Sequence, residues 1–197
     1  MITPNVSEGL GPLLTLGYTT CMSSFSRNLT DRGIILSASP HKETDIRIDF
    51  FSQTQGRISC YANGAQRSKK RFMGSLEPTF HIEAILDRHP SGYTLRECRV
   101  HRSYFQMRRS LRHIQSAFYM TYICQKSLAF GQPNPDLFAI LESGLSELCG
   151  DTPLNTTLQK FEENYLDVEG IRPESPGRFS QLFEAYTGAI LPALSYT

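Results

Sequence analysis

The stretch DIRIDFFSQTQGRISCYANG, residues 45–64, contains the pattern that decides the fold of this 197-residue chain. Apolar residues occupy every second position on both sides of the TQGR turn: Ile46, Ile48, Phe50, Ile58, Cys60 and Ala62. A period of two is typical of a strand with one buried face, and a glycine-containing turn between two such runs is typical of a hairpin. The stretch therefore predicts two antiparallel strands joined at Gly56.

Three more runs with strand character surround this hairpin. RGIILSAS, from Arg32, precedes it, whereas TFHIEAIL and YTLRECRV follow it and are separated by the turn RHPSG. Five short strands with turn residues between them favour a small barrel or sandwich. Their spacing over about 70 residues fits an OB-fold, a five-stranded, partly open barrel that binds oligonucleotides.

From Tyr104 onward the period changes to that of a helix. An apolar stripe recurs at spacings of three and four residues: Met107, Leu111, Ile114, Phe118 and Tyr122. A second helix is predicted to begin after Asn134, a capping residue followed by proline, and to end with Gly150 in a left-handed conformation. Two more helical segments follow. The predicted fold class is therefore α+β, an N-terminal five-stranded OB-fold barrel followed by an all-helical domain.

The change of period divides the chain into three parts. Residues 1–30 are rich in Ser, Thr, Gly and Pro without a sustained period, so we predict an N-terminal extension without regular structure. Residues 31–103 are predicted to form the OB-fold nucleic-acid-binding domain, and residues 104–197 the helical domain. No run reaches the roughly 18 apolar residues of a membrane span, and no basic leader precedes the first apolar patch. We therefore expect a cytoplasmic protein with no membrane partner.

Charge is distributed unevenly along the chain, although the net charge is only +1. Residues 67–113 carry 11 cations and 4 anions, whereas residues 114–197 carry 4 cations and 10 anions. A basic middle of this kind indicates a polyanionic partner. The densest cluster lies in a predicted loop between two strands and consists of Arg67, Lys69, Lys70 and Arg71.

We predict that this cluster, together with cations on neighbouring strands, binds nucleic-acid phosphates. Such binding releases condensed counterions and weakens as the salt concentration rises. The residues predicted to bind phosphates are Arg47, Arg57, Arg67, Lys69, Lys70, Arg71 and Arg99. A solvated basic loop that only keeps the protein soluble is the alternative. Tyr61, Phe72 and Tyr93 are candidates for stacking on bases, with packing in the barrel as their alternative.

The first predicted helix carries its own cations, Arg108, Arg109 and Arg112, on a polar face beside the apolar stripe. One interpretation is a solvated helix face. The others are an extension of the basic surface and a contact for the acidic tail of a partner protein.

Motifs for catalysis are absent from the sequence. The chain contains no HExxH metal site, no GxSxG nucleophile turn and no GxxxxGK[ST] phosphate loop. Its five cysteines form no CxxC pair. We therefore predict that the protein is not an enzyme and has no catalytic residue, metal site, cofactor or small-molecule substrate.

The basic stretch and its flanks resemble a known family. GIILSASPHKETDIRIDFFSQTQGRISCYANGAQRSKKRFMGSLEP is similar to the N-terminal region of the RecO family of bacterial recombination mediators. The matching residues are Thr54, Gly56, Arg57, Ile58, Ala62, Gly64, Ala65, Arg67, Lys69, Leu76 and Pro78. A second similar stretch, LQKFEENYLDVEGIRP, supplies Phe161, Glu162, Tyr165, Leu166, Gly170 and Pro173. Many family members continue into a four-cysteine zinc module, whereas no cysteine follows Cys149 here, so we expect a member without that module.

The resemblance implies a function as well as a fold. It implies an OB-fold followed by a helical domain, binding of single- and double-stranded DNA, and annealing of complementary strands. It also implies contact with the single-strand-binding protein SSB, whose acidic tail would meet Arg108, Arg109 and Arg112, and cooperation with RecR in loading recombinase. We therefore expect a DNA repair and recombination mediator associated with the nucleoid. A protein-interaction adaptor whose OB-fold does not bind nucleic acid, and an RNA-binding OB protein, are the alternatives.

Overall fold

The computed structural model describes residues 28–68, 71–72, 74–171 and 178–194. Its five strands are β1 (Asn28–His41), β2 (Asp45–Ser52), β3 (Gly56–Ala62), β4 (His81–His89) and β5 (Gly92–Arg102). They close a barrel in the order β1-β2-β3-β5-β4, in which only the β3–β5 pair is parallel. The predicted OB-fold barrel is confirmed, and helices follow it in the chain.

The alternating apolar residues of the hairpin point into the barrel, as the period of two predicts. Ile48 and Phe50 of β2 and Ile58 and Cys60 of β3 are buried inside the barrel, where they pack with Leu86 of β4. Burying one large aliphatic or aromatic side chain contributes about 1.5–3 kcal/mol to the free energy of folding. The interior therefore stabilises the barrel and leaves the intervening residues of each strand on its outer surface.

Strand β1 begins earlier than the sequence pattern indicates. Its first half pairs with β4 from Asn28 opposite Asp87, and its second half pairs with β2 as far as His41 opposite Asp45. Asn28, Leu29 and Thr30 therefore lie in a strand rather than in the predicted extension. Their partners are distant in sequence, so local composition does not reveal the pairing.

The helical part consists of a 3-10 turn, Phe105–Arg109, and of α1 (Leu111–Ser127), α2 (Pro135–Glu147), α3 (Leu154–Val168) and α4 (Phe179–Thr187). The predicted start of α2 is confirmed, because Leu137 N donates to Asn134 Oδ1 at 3.0 Å. The predicted left-handed end at Gly150 is wrong: α2 ends at Glu147, and Leu148 after it keeps a right-handed helical conformation. Among the described residues, no helix has the length and apolar character needed to cross a membrane.

Of the predicted apolar stripe, Leu111 and Phe118 face outward, whereas Ile114 and Tyr122 are half-buried and Met107 is buried. Ser110 is extended and separates the 3-10 turn from α1, so the predicted continuous helix is interrupted. Leu111 is 68% exposed and Phe118 47% exposed. The buried face of α1 consists of Ser116, Ala117, Tyr119, Met120, Thr121, Ile123 and Cys124.

Close packing against α2 explains why this other face is buried. At Gly144 of α2, an added Cβ would lie 2.9 Å from the Met120 sulfur, so the missing side chain at Gly144 makes room for Met120 of α1. Helix α1 is therefore apolar on two sides. The sequence period identifies the stripe that includes Leu111 and Phe118, whereas packing against α2 buries the other side of the helix.

The barrel and the helices share a second hydrophobic core. Ile34 and Leu36 of β1 and Phe51 of β2 point outward from the barrel and are buried against the helices. The rings of Phe51 and Phe138 of α2 meet edge to face, with centroids 5.1 Å apart. The helical part thus covers one region of the outer barrel surface, and this determines which strand residues remain open to a ligand.

Candidate nucleic-acid interface

Arg57 lies in the contact between the barrel and the helices. Its side chain is only 16% exposed, and its Nη2 atom lies 2.8 Å from Asp49 Oδ2. It also donates to the backbone oxygen of Gln125 in α1, and its guanidinium lies 4.3 Å from the ring centroid of Phe130. Internal contacts thus use the charge of Arg57 and both of its terminal nitrogens, Nη1 and Nη2. This corrects the prediction that Arg57 binds DNA phosphates, because a residue that binds them must be accessible from solvent.

Asp49 is the centre of this buried network. Burial alone would raise the pKa of its carboxyl, but hydrogen bonds from Arg57, Gln125 and Ser59 outweigh burial and hold the pKa below its usual range. Gln125 Nε2 donates to the carboxylate at 2.7 Å and Ser59 Oγ donates at 2.8 Å. Asp49 therefore remains charged and ties β2 and β3 to α1.

Arg47 occupies the part of the outer β2 surface that the helices leave open. Its side chain is 47% exposed, its Nη2 atom donates to Ser59 Oγ at 3.3 Å, and its ion pair with Asp49 is long, at 3.8 Å. Across the sheet it lies opposite Ser39 of β1 and Tyr61 of β3. Arg47 is therefore available to a ligand that lies across the outer face of these three strands.

The basic loop is fixed across the end of the barrel beside this face. Gly64 N donates to Asp45 Oδ1 at 2.8 Å, and this hydrogen bond lowers the pKa of the Asp45 carboxyl. Gln66 N donates to the Thr44 backbone oxygen at 2.9 Å, which attaches the loop to the β1–β2 turn. The loop inserts three buried side chains into the barrel core: Ala65, Phe72 and Leu76.

The two described arginines of this loop lie on its solvent side. Arg67 and Arg71 are exposed, whereas Lys69 and Lys70 lie outside the described residues. Arg71 donates to the Asn63 backbone oxygen and its guanidinium lies 4.7 Å from the ring centroid of Phe72. Neither of these two contacts neutralises the charge of Arg71.

The three aromatic candidates differ in their surroundings. Phe72 is buried in the barrel core, and Tyr93 packs against the same core with a half-buried ring. Tyr61 points to the outer face, where its ring centroid lies 4.8 Å from that of His41. Of the three, Tyr61 is the one on the open face beside Arg47.

Arg99 lies on a different side of the barrel. Strand β5 pairs with β3 only at Tyr93 and Thr94, and beyond them Arg99 pairs with Glu83 of β4. The Glu83 carboxylate in turn lies 3.1 Å from Arg32 of β1. Arg99 thus has acidic surroundings and is not next to Arg47, because β5 leaves β3 after its first residues.

We group five residues at this end of the barrel under the name barrel-end surface: His41, Arg47 and Tyr61 on adjacent strands, and Arg67 and Arg71 on the loop attached beside them. A shallow groove beside it is lined by two cations, Arg71 and Arg96, and by two carboxylates, Asp87 and Glu97, and Arg96 is ion-paired with Asp87. His41 was not among the predicted site residues. The signal was present in sequence, because Ser37, Ser39 and His41 follow a period of two, but the face on which they lie depends on the bulge that precedes them in β1.

Sequence comparisons agree with this architecture. The profile of a family described as "Recombination protein O N terminal" matches residues 22–104. A DNA repair protein RecO of Myxococcus xanthus is 28% identical over 170 residues, which are 81% of this chain and 70% of that protein. The DNA repair protein RecO of Geobacter metallireducens is 34% identical over 139 residues, 71% of this chain and 57% of its relative. The chain belongs to the RecO family.

The RecO profile coincides with the barrel. Its match takes in all five strands and ends at Tyr104, where the barrel passes into the 3-10 turn. The chain spans little more than half the length of several RecO relatives: the match to the Syntrophobacter fumaroxidans protein covers 56% of that protein.

The helical cations of this RecO-family chain do not form one face. Arg108 and Arg109 precede α1, in the 3-10 turn, where Arg108 Nη2 lies 2.6 Å from Glu77 Oε2. Arg109 donates to the Gly150 backbone oxygen. Arg112 is exposed in the first turn of α1, next to Leu111. The break at Ser110 separates Arg112 from the other two.

Proposed function

We propose that this RecO-family chain binds DNA by its phosphate backbone at the barrel-end surface and serves DNA repair and recombination, as the name of its relatives indicates. The observation that supports the proposal most directly is the fixed basic loop beside exposed Arg47, on the outer face that the helices leave open. Arginine donors match phosphate oxygens in geometry and charge. Binding of this kind is nearly independent of sequence.

Annealing of complementary strands follows from the same chemistry. Cations that cover phosphates reduce the repulsion between two strands, so pairing proceeds without a chemical step, a cofactor or a catalytic residue. We propose that the chain holds both single- and double-stranded DNA in this way. An adaptor that does not bind nucleic acid is the competing function, and weak DNA retention that does not depend on salt would favour it.

Removal of two cations from the barrel-end surface should change the salt dependence of binding. For Arg47→Ala with Arg71→Ala, we expect the log–log slope of affinity against salt on single-stranded DNA to flatten by about 1.4 units, or about 0.7 per phosphate contact. Fluorescence anisotropy of a labelled oligonucleotide across a salt series measures this slope. Competition with single-stranded RNA in the same assay separates DNA from RNA preference.

Arg99→Ala is the matched control for this experiment, because it removes the same charge from the β4–β5 side. Its slope should equal that of the wild type. A slope that changes equally for Arg99→Ala, or that does not change in the double variant, would contradict the proposed surface.

We also propose that the chain works with SSB and RecR in recombinase loading. Arg108 and Arg109 contact Glu77 and Gly150, so we propose that apolar side chains, and not the predicted arginine trio alone, hold the tail of SSB. The outward stripe of α1, with exposed Leu111 and Phe118, supports docking of a short acidic peptide with an apolar end. Exposed Arg112 lies next to this stripe and supplies the complementary charge.

Truncation of this stripe should weaken peptide binding. Leu111→Ala with Phe118→Ala should raise the Kd for a fluorescent acidic tail peptide about tenfold, because buried apolar anchors carry most of such binding energy. Tyr186→Ala removes an exposed ring from α4 and should leave the Kd unchanged. Equal affinity of both variants and the wild type would exclude the stripe as the docking site.

A further inference from the structure

The outer face beside Arg47 carries a pair of rings that contribute to neither hydrophobic core. Tyr61 of β3 and His41 at the end of β1 lie with centroids 4.8 Å apart and planes inclined by 50°. The neighbours of Tyr61 in the strand, Cys60 and Ala62, point into the barrel, so the tyrosine ring lies on the outside. Both rings are half-buried and retain a surface that faces solvent.

Cations lie close to this ring pair. Arg47 is the cross-strand partner of Tyr61, and Arg71 donates to the backbone of Asn63, two residues further along the chain. A backbone held by these arginines would place its sugars and bases over the rings. Aromatic faces beside a basic path are suited to stacking on unpaired bases of any identity.

We propose that His41 and Tyr61 form a stacking step for the bases of single-stranded DNA and thereby make the barrel-end surface prefer single strands over duplex. This inference rests on the proposed function and deepens it. Bases in a duplex are already stacked on their neighbours and cannot reach the rings, whereas their phosphates reach the arginines equally well. The arginines thus bind both forms of DNA, and the rings distinguish between them.

A comparison of three ligands at one salt concentration tests this step by fluorescence anisotropy. The ligands are a single-stranded oligonucleotide, a phosphodiester of the same length without bases, and a duplex. Tyr61→Leu should weaken binding of the first about tenfold, the expected size for loss of one stacked base. Binding of the other two should not change, because they present no unpaired base.

Conservative and neighbouring variants separate stacking from other effects. Tyr61→Phe keeps the ring and should bind single strands as the wild type does. An equal loss on all three ligands for Tyr61→Leu, or no loss on the single strand, would overturn the stacking step. If Arg47→Ala flattens the salt slope while Tyr61→Leu has no effect, only the stacking step fails. If the wild type binds DNA without salt dependence, the proposed function itself fails.

Discussion

Replacement of Arg57 by alanine should lower the free energy of unfolding by about 3 kcal/mol, although the residue belongs to the basic set that the sequence assigns to DNA. The guanidinium compensates Asp49, which is itself buried, and joins α1 through Gln125. Removal of one partner of such a pair leaves an uncompensated charge in the contact between barrel and helices. The salt slope of DNA binding should remain that of the wild type, because Arg57 does not reach the barrel-end surface.

Urea denaturation followed by circular dichroism measures this loss of stability. The same measurement repeated across a range of pH provides a second test. The pKa of Asp49 is lowered in the folded protein, so the stability that its charge contributes is present above the unfolded pKa of about 3.9 and is lost as the pH falls through the folded value. The difference between wild type and Arg57→Ala should therefore be largest near neutral pH and narrow in acid. A difference that stays constant from neutral to acidic pH would contradict this account.

Arg47→Ala is the matched control, since it removes an arginine from the adjacent strand and from the same outer face. The Arg47 side chain is half-exposed and its ion pair with Asp49 is long, so the free energy of unfolding should change by no more than about 0.5 kcal/mol. The two variants thus have opposite phenotypes: Arg57→Ala changes stability and Arg47→Ala changes the salt slope. Identical phenotypes would show that the two arginines share one role.

Gly56→Ala should be the second strongly destabilising change, with a loss of more than the ~1–2 kcal/mol that a left-handed backbone alone costs an L-residue. Gly56 has a φ of +69°, and an added Cβ would lie 2.0 Å from the backbone oxygen of Gln132. This oxygen belongs to the connection between α1 and α2, which packs on the β2–β3 turn. A backbone atom cannot move aside as a flexible side chain does, so the barrel and the helices would have to separate.

Gly64 is the matched control for this prediction. It has nearly the same φ, +66°, and an added Cβ there would meet no atom within 4 Å. Gly64→Ala therefore measures the conformational cost alone, and the excess loss in Gly56→Ala measures the steric contact with the helices. Equal unfolding free energies for the two variants would show that the β2–β3 turn does not need its close approach to Gln132.

The barrel and its basic loop could be predicted because their signals are local. The period of two in β2 and β3 reports directly which side chains enter the interior, and Asn134 followed by Pro135 marks the start of α2 from its own chemistry. The cluster beginning at Arg67 lies in a loop between strands, as expected. None of these features requires knowledge of what packs against the outside of the barrel.

The sequence could not predict which of these cations remain open to a ligand, because that depends on contacts between distant segments. Arg47 and Arg57 look equivalent in sequence, each a cation on the polar side of a strand, yet α1 covers one and leaves the other open. In sequence, Arg99 continues the run of cations, but β5 leaves β3 after its first residues and the structure places Arg99 opposite Glu83 of β4.

Residue order alone thus determined the five strands, their inner faces and a cationic loop, because side chains alternate along a strand wherever that strand lies. Only the tertiary structure decided which outward residues meet solvent, including the exposed stripe of α1 and the pairing of His41 with Tyr61. The physical reason is that the residues on the outer face of a strand do not themselves specify which segment packs against them. What covers it is set by barrel closure and by the packing of the helices, in which Gly144 makes room for Met120.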